Sequence, residues 1–316
     1  MSRSRVVTLT FSPALDVATS VDVITPSRKL RCDAPRHEPG GGGINVARVA
    51  QRLGADAVAV APLGGDRGRR VAEQLGKEGV TVEQVIVDHT IRQSFAVTEE
   101  STGRQFRFVM PPQRLDRDEA DRCVKATCDL ASAARCVVVS GSIDLPDVVE
   151  VLRCIVQTVR PVPVLIDTSG DALDAALDSG AALIKPSARE LADLVGRPLD
   201  TESDITAAAT DVIARSNVDA LLVSIGAGGA VLVRPDVPPL RFRAPTVRVR
   251  STIGAGDSLV AGIATGLADG QELVDAVRLG IAAGTATVLT DGTQLCDPAM
   301  VDELLPLVAV DVAVDD

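Results

Sequence analysis

The chain has 316 residues, of which 46% are apolar, and a formal charge of −11, so it can fill one large core or two modest ones. That charge repels nucleic acid and anionic membrane surfaces at long range, and any anionic ligand has to meet locally gathered Lys and Arg. No apolar run approaches the roughly 20 residues of a membrane span.

Residues 1–10 read as a short basic lead into a strand, without the longer apolar segment and cleavage site of a secretory leader. Ser12-Pro13-Ala14-Leu15 then leads to Asp16, a candidate acceptor for ligand hydroxyls. Residues 19–36 have strand-like character and carry Lys29 and Arg31. Next comes Gly40-Gly41-Gly42-Gly43, which opens a helical pattern with Val46, Val49, Ala50 and Leu53 on one face. Four consecutive glycines lose much conformational freedom on folding, so something must require their small size or backbone freedom. Close contact with a polyhydroxylated ligand is one such requirement. Asn45, just inside the helix, reads either as a donor and acceptor for sugar hydroxyls or as an N-cap.

Residues 92–110 predict a β-hairpin turning near residues 99–103. Phe95, Phe106 and Phe108, three of the chain's five phenylalanines, lie in it. A sheet covering a site or packing on a second subunit explains that concentration, as does an ordinary core hairpin. Arg92 at its start, with Lys29 and Arg31, either brings positive charge over a site or forms a solvated edge.

From residue 137 onward short apolar runs alternate with helical patterns: 137–139, 164–166, 183–184 and 221–223. This is the signature of parallel strands buried on both faces. Each run ends in polar or small residues, including Ser140, Asp167, Lys185 and Ser224, and ligands bind beyond the carboxyl ends of such strands. Ser224-Ile225-Gly226-Ala227-Gly228-Gly229 fits a turn beneath a nucleotide or a hairpin into the strand that follows.

The clearest chemical signal is Gly254-Ala255-Gly256-Asp257 ahead of a helix with Leu259, Ile263 and Leu267 on one face. A helix N-terminus presents unpaired N–H groups and the positive end of its dipole, and glycine lets phosphate oxygens approach. Asp257 would stand beside that phosphate as a proton acceptor for an attacking hydroxyl; a plain helix cap fits the same four residues. The cysteines, Cys32, Cys123, Cys128, Cys136, Cys154 and Cys296, contain no C-x-x-C pair, and His37 and His89 are the only histidines. This predicts reduced thiols, acting as small buried hydrophobes in a cytoplasmic protein, and no histidine-based metal site or triad.

Together, residues 40–54 (GGGGINVARVAQRLG) and 251–260 (STIGAGDSLV) resemble the PfkB branch of the ribokinase-like sugar kinases, along nearly the whole chain. Lys29-Leu30-Arg31-Cys32, Glu38-Pro39, Arg92-Gln93 and residues 106–111 are most similar to the minor, PfkB-type ATP-dependent 6-phosphofructokinases. The resemblance implies one domain over residues 1–316, a three-layer α/β/α core with a mostly parallel sheet, and a small β-sheet lid with strands within 17–37 and 91–111. It implies phosphorylation of the 1-hydroxyl of fructose 6-phosphate by ATP with Mg²⁺, adds K⁺ as a candidate activator, and implies a homodimer through the lid with no nucleic-acid or membrane partner. Tagatose-6-phosphate kinase, fructose-1-phosphate kinase and a non-catalytic sugar-phosphate-binding protein are the alternatives.

For the site, the resemblance makes Asp257 the catalytic base and Gly254, Ala255 and Gly256 the anion hole. Asp16, Gly41, Gly42, Asn45 and Ser140 match sugar-binding positions, Arg92 a 6-phosphate ligand, and Lys29 a residue reaching a neighbouring subunit's site. Lys185, Ser224, Gly226 and Gly229 fall on nucleotide-side motifs, with Glu190 tied to the metal through water. Two segments depart from the family pattern. Ser187 stands where Asn is usual, while still forming a capping box with Glu190. Asp144 and Asp147 add negative charge to a loop expected near an anionic sugar.

Overall fold

The computed structural model describes residues 4–112 and 114–313; residues 1–3 of the N-terminal lead lie outside them. The strands in chain order are β1 (Arg5–Leu9), β2 (Ala14–Val21), β3 (Arg36–Gly40), β4 (Asp56–Leu63), β5 (Thr81–Ile86), β6 (Arg92–Glu99) and β7 (Arg104–Phe108). There follow β8 (Cys136–Ser140), β9 (Val164–Asp167), β10 (Leu183–Ile184), β11 (Leu221–Ser224), β12 (Gly229–Arg234), β13 (Val237–Arg243) and β14 (Ala309–Val312). The helices are α1 (Gly42–Arg52), α2 (Gly65–Lys77), α3 (Arg117–Ala131), α4 (Val148–Val159) and α5 (Asp171–Ala176). The remaining helices are α6 (Ala188–Val195), α7 (Glu202–Ile213), α8 (Ala255–Ala268), α9 (Leu273–Val288) and α10 (Pro298–Leu304).

Ten strands form one sheet in the order β14-β13-β12-β11-β10-β9-β8-β1-β4-β5. From β5 to β11 all neighbours are parallel, and β12 to β14 extend that edge antiparallel. The apolar runs are continuous because both faces are covered. Val138 and Leu222 pack with α1, α8 and α9 on one side, while Val137, Val139, Leu221 and Val223 pack with α3, α4 and α7 on the other. This is the three-layer α/β/α arrangement expected from the sequence. Strand β4 follows the same logic, residues 57–63 being an apolar run buried throughout, whereas β5 at the sheet edge is mostly exposed.

The second sheet has the order β3-β2-β6-β7. Residues 92–110 form the expected hairpin, with Phe95 opposite Phe108 and Val97 opposite Phe106. Residues 19–36 depart from the expected strand. Strand β2 begins at Ala14 and pairs in parallel with β6, and β3 runs through Pro39 into the first of the glycines. Residues 22–35 between them carry no strand; Pro26 has no backbone N–H to give a ladder, and the charged stretch around Lys29 has no apolar face to bury. The cysteines are all free thiols. Cys123, Cys136 and Cys296 are buried as expected, whereas Cys32 and Cys154 are exposed and Cys128 is half-buried. Among the described residues no helix is long and apolar enough to cross a membrane.

Helix α8 is buried almost all round, from Ser258 to Gly266. Its contact with α9 is backbone on backbone: a Cβ on Gly262 would lie 2.6 Å from the Gly280 Cα, and one on Gly280 would lie 2.5 Å from the Leu259 carbonyl oxygen. No side chain can stand between the two helices, so α8 is fixed in depth, and with it the turn at its start. Gly280→Val is expected to destabilise the protein by about 2 kcal/mol or more through overpacking, read as a lower denaturant midpoint in chemical unfolding.

Candidate active site

Gly254 is the residue before α8 and holds a left-handed backbone, φ 77° and ψ −1°, with no side-chain cap. A Cβ there would also press on Leu295 at 2.8 Å, so glycine is required twice over. Of the first-turn N–H groups, that of Ala255 donates to the Thr252 carbonyl at 3.4 Å, while those of Gly256 and Asp257 have no intrahelical acceptors, which makes this helix start a candidate anion cradle. Asp257 lies inside the helix rather than at the cap position, which removes the plain-cap reading. Asn45 likewise lies inside α1, whose cap is Gly41.

The two residues meet. Asn45 Nδ2 donates to Asp257 Oδ2 at 2.8 Å across 212 positions of sequence, and the other carboxylate oxygen accepts no hydrogen bond among the described residues. Burial, reinforced by the charge of Asp167, pushes the Asp257 pKa up to about 6; the Asn45 bond, Lys185 and Arg107 restrain the rise. Lys185 is 5% exposed and its Nζ pairs with Asp167 at 2.9 Å. Burial opposes the charge on Lys185, but Asp167, with Glu190 and Asp257 adding, outweighs it and raises its pKa. Lys185 stays cationic beside the anion cradle: a Cβ on Gly256 would sit 3.7 Å from its Nζ. Sequence reasoning noticed Asp167 only as the polar end of a strand and did not single it out; that strand-end position was the available signal.

On the other side of Asp257 lie the glycine run and the second sheet. Gly41 has φ 116°, and a side chain on Gly42 would overlap the Ser140 hydroxyl at the end of β8. Ser140 is 2% exposed and its Oγ has no partner, which leaves a buried polar atom to satisfy. Asp16 lies on β2 against Gly40, where any side chain would overlap its carboxylate. Burial raises the Asp16 pKa, opposed most strongly by Arg107 and Arg92. Arg92 donates to the Ser12 and Met110 carbonyls at 3.3 and 3.1 Å, and its Nε is buried and unpaired. Arg107, the partner of Ala96 in the hairpin register, lies within residues 106–111 but carries no role in the sequence analysis.

The second sheet is tied to the body next to α8. Ser251 Oγ lies 3.0 Å from Gln105 Oε1 of β7 and donates to the Gly292 carbonyl at 2.6 Å; Thr293 donates to Glu38 of β3. With one hydroxyl proton on Ser251, the Gln105 contact requires the amide nitrogen to face it.

Beyond Asp257 a cleft of about 370 Å³ is lined by Ser224, Gly226 and Gly229, by Ala255 and Gly256, and by apolar residues such as Val247 and Ile281. Residues 224–229 are a hairpin turn, with Ile225 N–H donating to the Gly229 carbonyl, and the same turn walls this cleft. The two readings of that segment are compatible.

Five further residues named from the sequence form no hydrogen bond or ion pair with this group among the described residues. Lys29 is exposed and has no ion pair among the described residues. Ser187 and Glu190 close their capping box, the backbone N–H of each bonding to the other's side chain at 2.7 and 3.2 Å, so one Glu190 oxygen is committed to the helix start. Asp144 and Asp147, which add negative charge near the sugar loop in sequence, pair with Arg114 and Arg117.

Residues 12–300 match the model of the pfkB family carbohydrate kinases. The chain belongs to that family. It is 40% identical over 309 residues to the ATP-dependent 6-phosphofructokinase isozyme 2 of Mycobacterium tuberculosis, covering 97% of this chain and 91% of that one. Identity to the Escherichia coli isozyme 2 is 39% over 295 residues, 92% and 95% of the two chains. The 1-phosphofructokinase of Xanthomonas campestris pv. campestris is 32% identical over 285 residues, 87% and 88% of the two. In structure, this pfkB-family chain superposes on Escherichia coli phosphofructokinase-2, crystallised with substrates and products, with a TM-score of 0.88 at 37% identity, covering 96% and 99% of the two.

The raised pKa has two measurable consequences. If ionised Asp257 is needed, kcat/KM falls as pH drops through about 6, and Asn45→Ala, which removes a donor to the carboxylate, moves that acid limb to higher pH. The folded pKa lies above the ordinary 3.8, so the fold binds this proton more tightly than the unfolded chain does. Asp257 therefore costs stability above pH 6, and the cost disappears towards pH 4. Asp257→Asn is expected to raise the thermal midpoint at pH 7.5 by about 2 °C or more, with the gap closing near pH 4; an unchanged midpoint at both pH values would contradict the desolvated carboxylate.

Proposed function

We propose that this pfkB-family kinase, acting as one unit over residues 1–316, transfers the γ-phosphoryl group of ATP to the 1-hydroxyl of fructose 6-phosphate in the cytoplasm. One observation carries the reading: a desolvated carboxylate, Asp257, held by Asn45 between a helix-start anion cradle and a pocket with two arginines. A cradle alone fits any phosphate. A base poised between it and a second cationic pocket fits transfer to a substrate that itself carries a phosphate.

In this reading the adenine side of ATP occupies the 370 Å³ cleft and its terminal phosphate meets the N–H groups of Gly256 and Asp257 and Lys185. Asn45 occupies one oxygen of Asp257 and leaves the other to take the proton of the attacking hydroxyl as the new O–P bond forms and the bond to ADP breaks. Asp16, the 41–42 turn and Ser140 orient the sugar hydroxyls. Arg92 and Arg107 hold the distal phosphate, and the unpaired Arg92 Nε gains an acceptor. The ion pairs of Asp144 and Asp147 remove the repulsion that these residues would bring to an anionic sugar.

Magnesium fits the same site. Among the described residues no three His, Cys, Asp or Glu converge as a cage. Mg²⁺ is commonly held by one or two carboxylates, waters and substrate phosphates, a set that Glu190 through water and ATP can provide. When bound, the ion neutralises charge on the phosphate oxygens. K⁺ belongs to this proposal as an activator, because the similar Escherichia coli phosphofructokinase-2 has been crystallised in complex with potassium.

The outer face of the second sheet supports a homodimer with the sheet as a clasping lid. Phe95 and its register partner Phe108 are 38% and 51% exposed, next to exposed Val109 and Met110, an apolar strip that a second copy would cover. In such a dimer Lys29, on the exposed segment between β2 and β3, would reach the partner's phosphate. The related Escherichia coli enzyme has also been crystallised as a tetrameric inhibited form.

Steady-state assays across fructose 6-phosphate, tagatose 6-phosphate, fructose 1-phosphate and neutral sugars test the substrate. Fructose 6-phosphate is expected to give the highest kcat/KM, and a preference for a neutral sugar would overturn the role of Arg92. Asp257→Ala should lower kcat by about 10²–10⁴ with little change in either KM; turnover at the wild-type rate would instead favour a non-catalytic binding protein. Arg92→Ala should raise the sugar-phosphate KM by roughly 10–100-fold, the loss of a charge-assisted contact. Phe108→Glu should convert the dimer to monomer in sedimentation; a wild-type chain that is already monomeric at all concentrations would remove the clasp.

A further inference from the structure

A buried arginine to which no role has been assigned lies behind the glycine run. Arg48, in the middle of α1, is 4% exposed. Its Nε contacts both oxygens of Glu78 at 3.1 and 2.9 Å, and Nη2 contacts one of them at 2.9 Å. Nη1 points the other way and donates to the Pro39 carbonyl at 3.1 Å. Glu78 is itself shared with Arg52, whose Nη1 donates to the carbonyls of Leu295 and Cys296.

Replacing a buried ion pair with apolar groups of similar volume is often neutral or stabilising. A methionine in α1 would fill the space of Arg48 without the desolvation cost. What methionine cannot do is donate to Pro39. That carbonyl immediately precedes Gly40, whose backbone lies so close to Asp16 that any side chain there would overlap the carboxylate. In the sheet register Pro39 lies opposite Leu15 and Glu38 opposite Asp16. The contacts form one line: Glu78 orients Arg48, Arg48 holds the Pro39 carbonyl, the carbonyl fixes the Gly40 backbone, and that backbone supports the Asp16 carboxylate. Arg48 also lies within electrostatic range of Asp16 and favours its ionised form.

We infer that Arg48 is a positioning residue of the sugar side of the site, setting the height of the Gly40–Gly43 turn and the direction of Asp16 without touching the ligand. This rests on the reading of Asp16 and the glycine turn as the sugar-binding side. It separates the two substrates, because the nucleotide cleft is built from β11, α8 and α9 and has no contact with Arg48.

The test uses the full chain with Arg48→Met, Arg48→Lys and Glu78→Gln. For Arg48→Met, the KM for the phosphorylated sugar should rise at least tenfold while that for MgATP stays within twofold. Native-state hydrogen exchange, read by mass spectrometry without any substrate, should speed up at least tenfold in peptides spanning residues 40–45 and stay unchanged over 254–262. Glu78→Gln keeps an acceptor for Arg48 and should change both readouts by less than threefold. Arg48→Lys keeps the charge but not the two-way fork, and should fall between wild type and Arg48→Met; if Arg48→Met does not fold, the exchange pattern of Arg48→Lys decides. Wild-type exchange over 40–45 in the substituted chain would overturn the inference, and so would equal loss of sugar and nucleotide affinity or a Glu78→Gln effect as large as that of Arg48→Met. A wild-type enzyme that phosphorylates no ketohexose phosphate would defeat the proposed reaction, while the exchange result would still decide the role of Arg48.

Discussion

The hydrogen bond from Asn45 to Asp257 joins the starts of two helices far apart in sequence, and the site is arranged around it. Both helices lie on the same side of the large sheet and share its core. Each is preceded by a glycine, Gly41 and Gly254, so two helix starts with permissive backbone meet at this bond. On one side of the bond is a cradle of N–H groups, and on the other a pocket of hydroxyls and arginines. The bond holds Asp257 at the boundary and restrains the pKa that burial raises. A carboxylate left in solvent would be a weak base, and one buried without Asn45 and Lys185 nearby would stay protonated near neutral pH.

Much of the precision comes from the absence of side chains. Gly42 lets the first glycine turn lie on Ser140, Gly40 lets it lie under Asp16, and Gly262 with Gly280 lets α8 seat on α9. Each is a contact of backbone with backbone or with a single polar group, and none has slack to absorb a methyl. Glycine costs conformational entropy on folding. The return is a pair of glycine turns that bring main chain, which has no rotamers, to the site.

The charge pattern follows the same economy. The chain as a whole is acidic, yet the cations near Asp257 are individually placed: Lys185 by its pair with Asp167, Arg92 by two carbonyls, Arg107 by the hairpin register. Acidic residues that would oppose an anionic ligand are paired with arginines of their own. Cations are thus gathered at the site of a chain that is acidic overall, and short distances let them act there despite the net charge.

The sequence by itself determined the parallel sheet, because strands buried on both faces must read as unbroken apolar runs. It also determined the two glycine-led helix starts, because few other segments demand so much backbone freedom. The phenylalanine hairpin and the capping box of Ser187 with Glu190 were legible for the same reason: each is a short-range pattern with a local cause. What the tertiary structure alone decided is which distant groups meet. That Asn45 serves Asp257 instead of capping its own helix, that Asp167 fixes Lys185, that Arg107 turns inward to the site, and that Asp144 and Asp147 are neutralised all depend on sheet order and register. Those are set by long-range packing, and residues tens or hundreds of positions apart leave no local signature of the contact they will make.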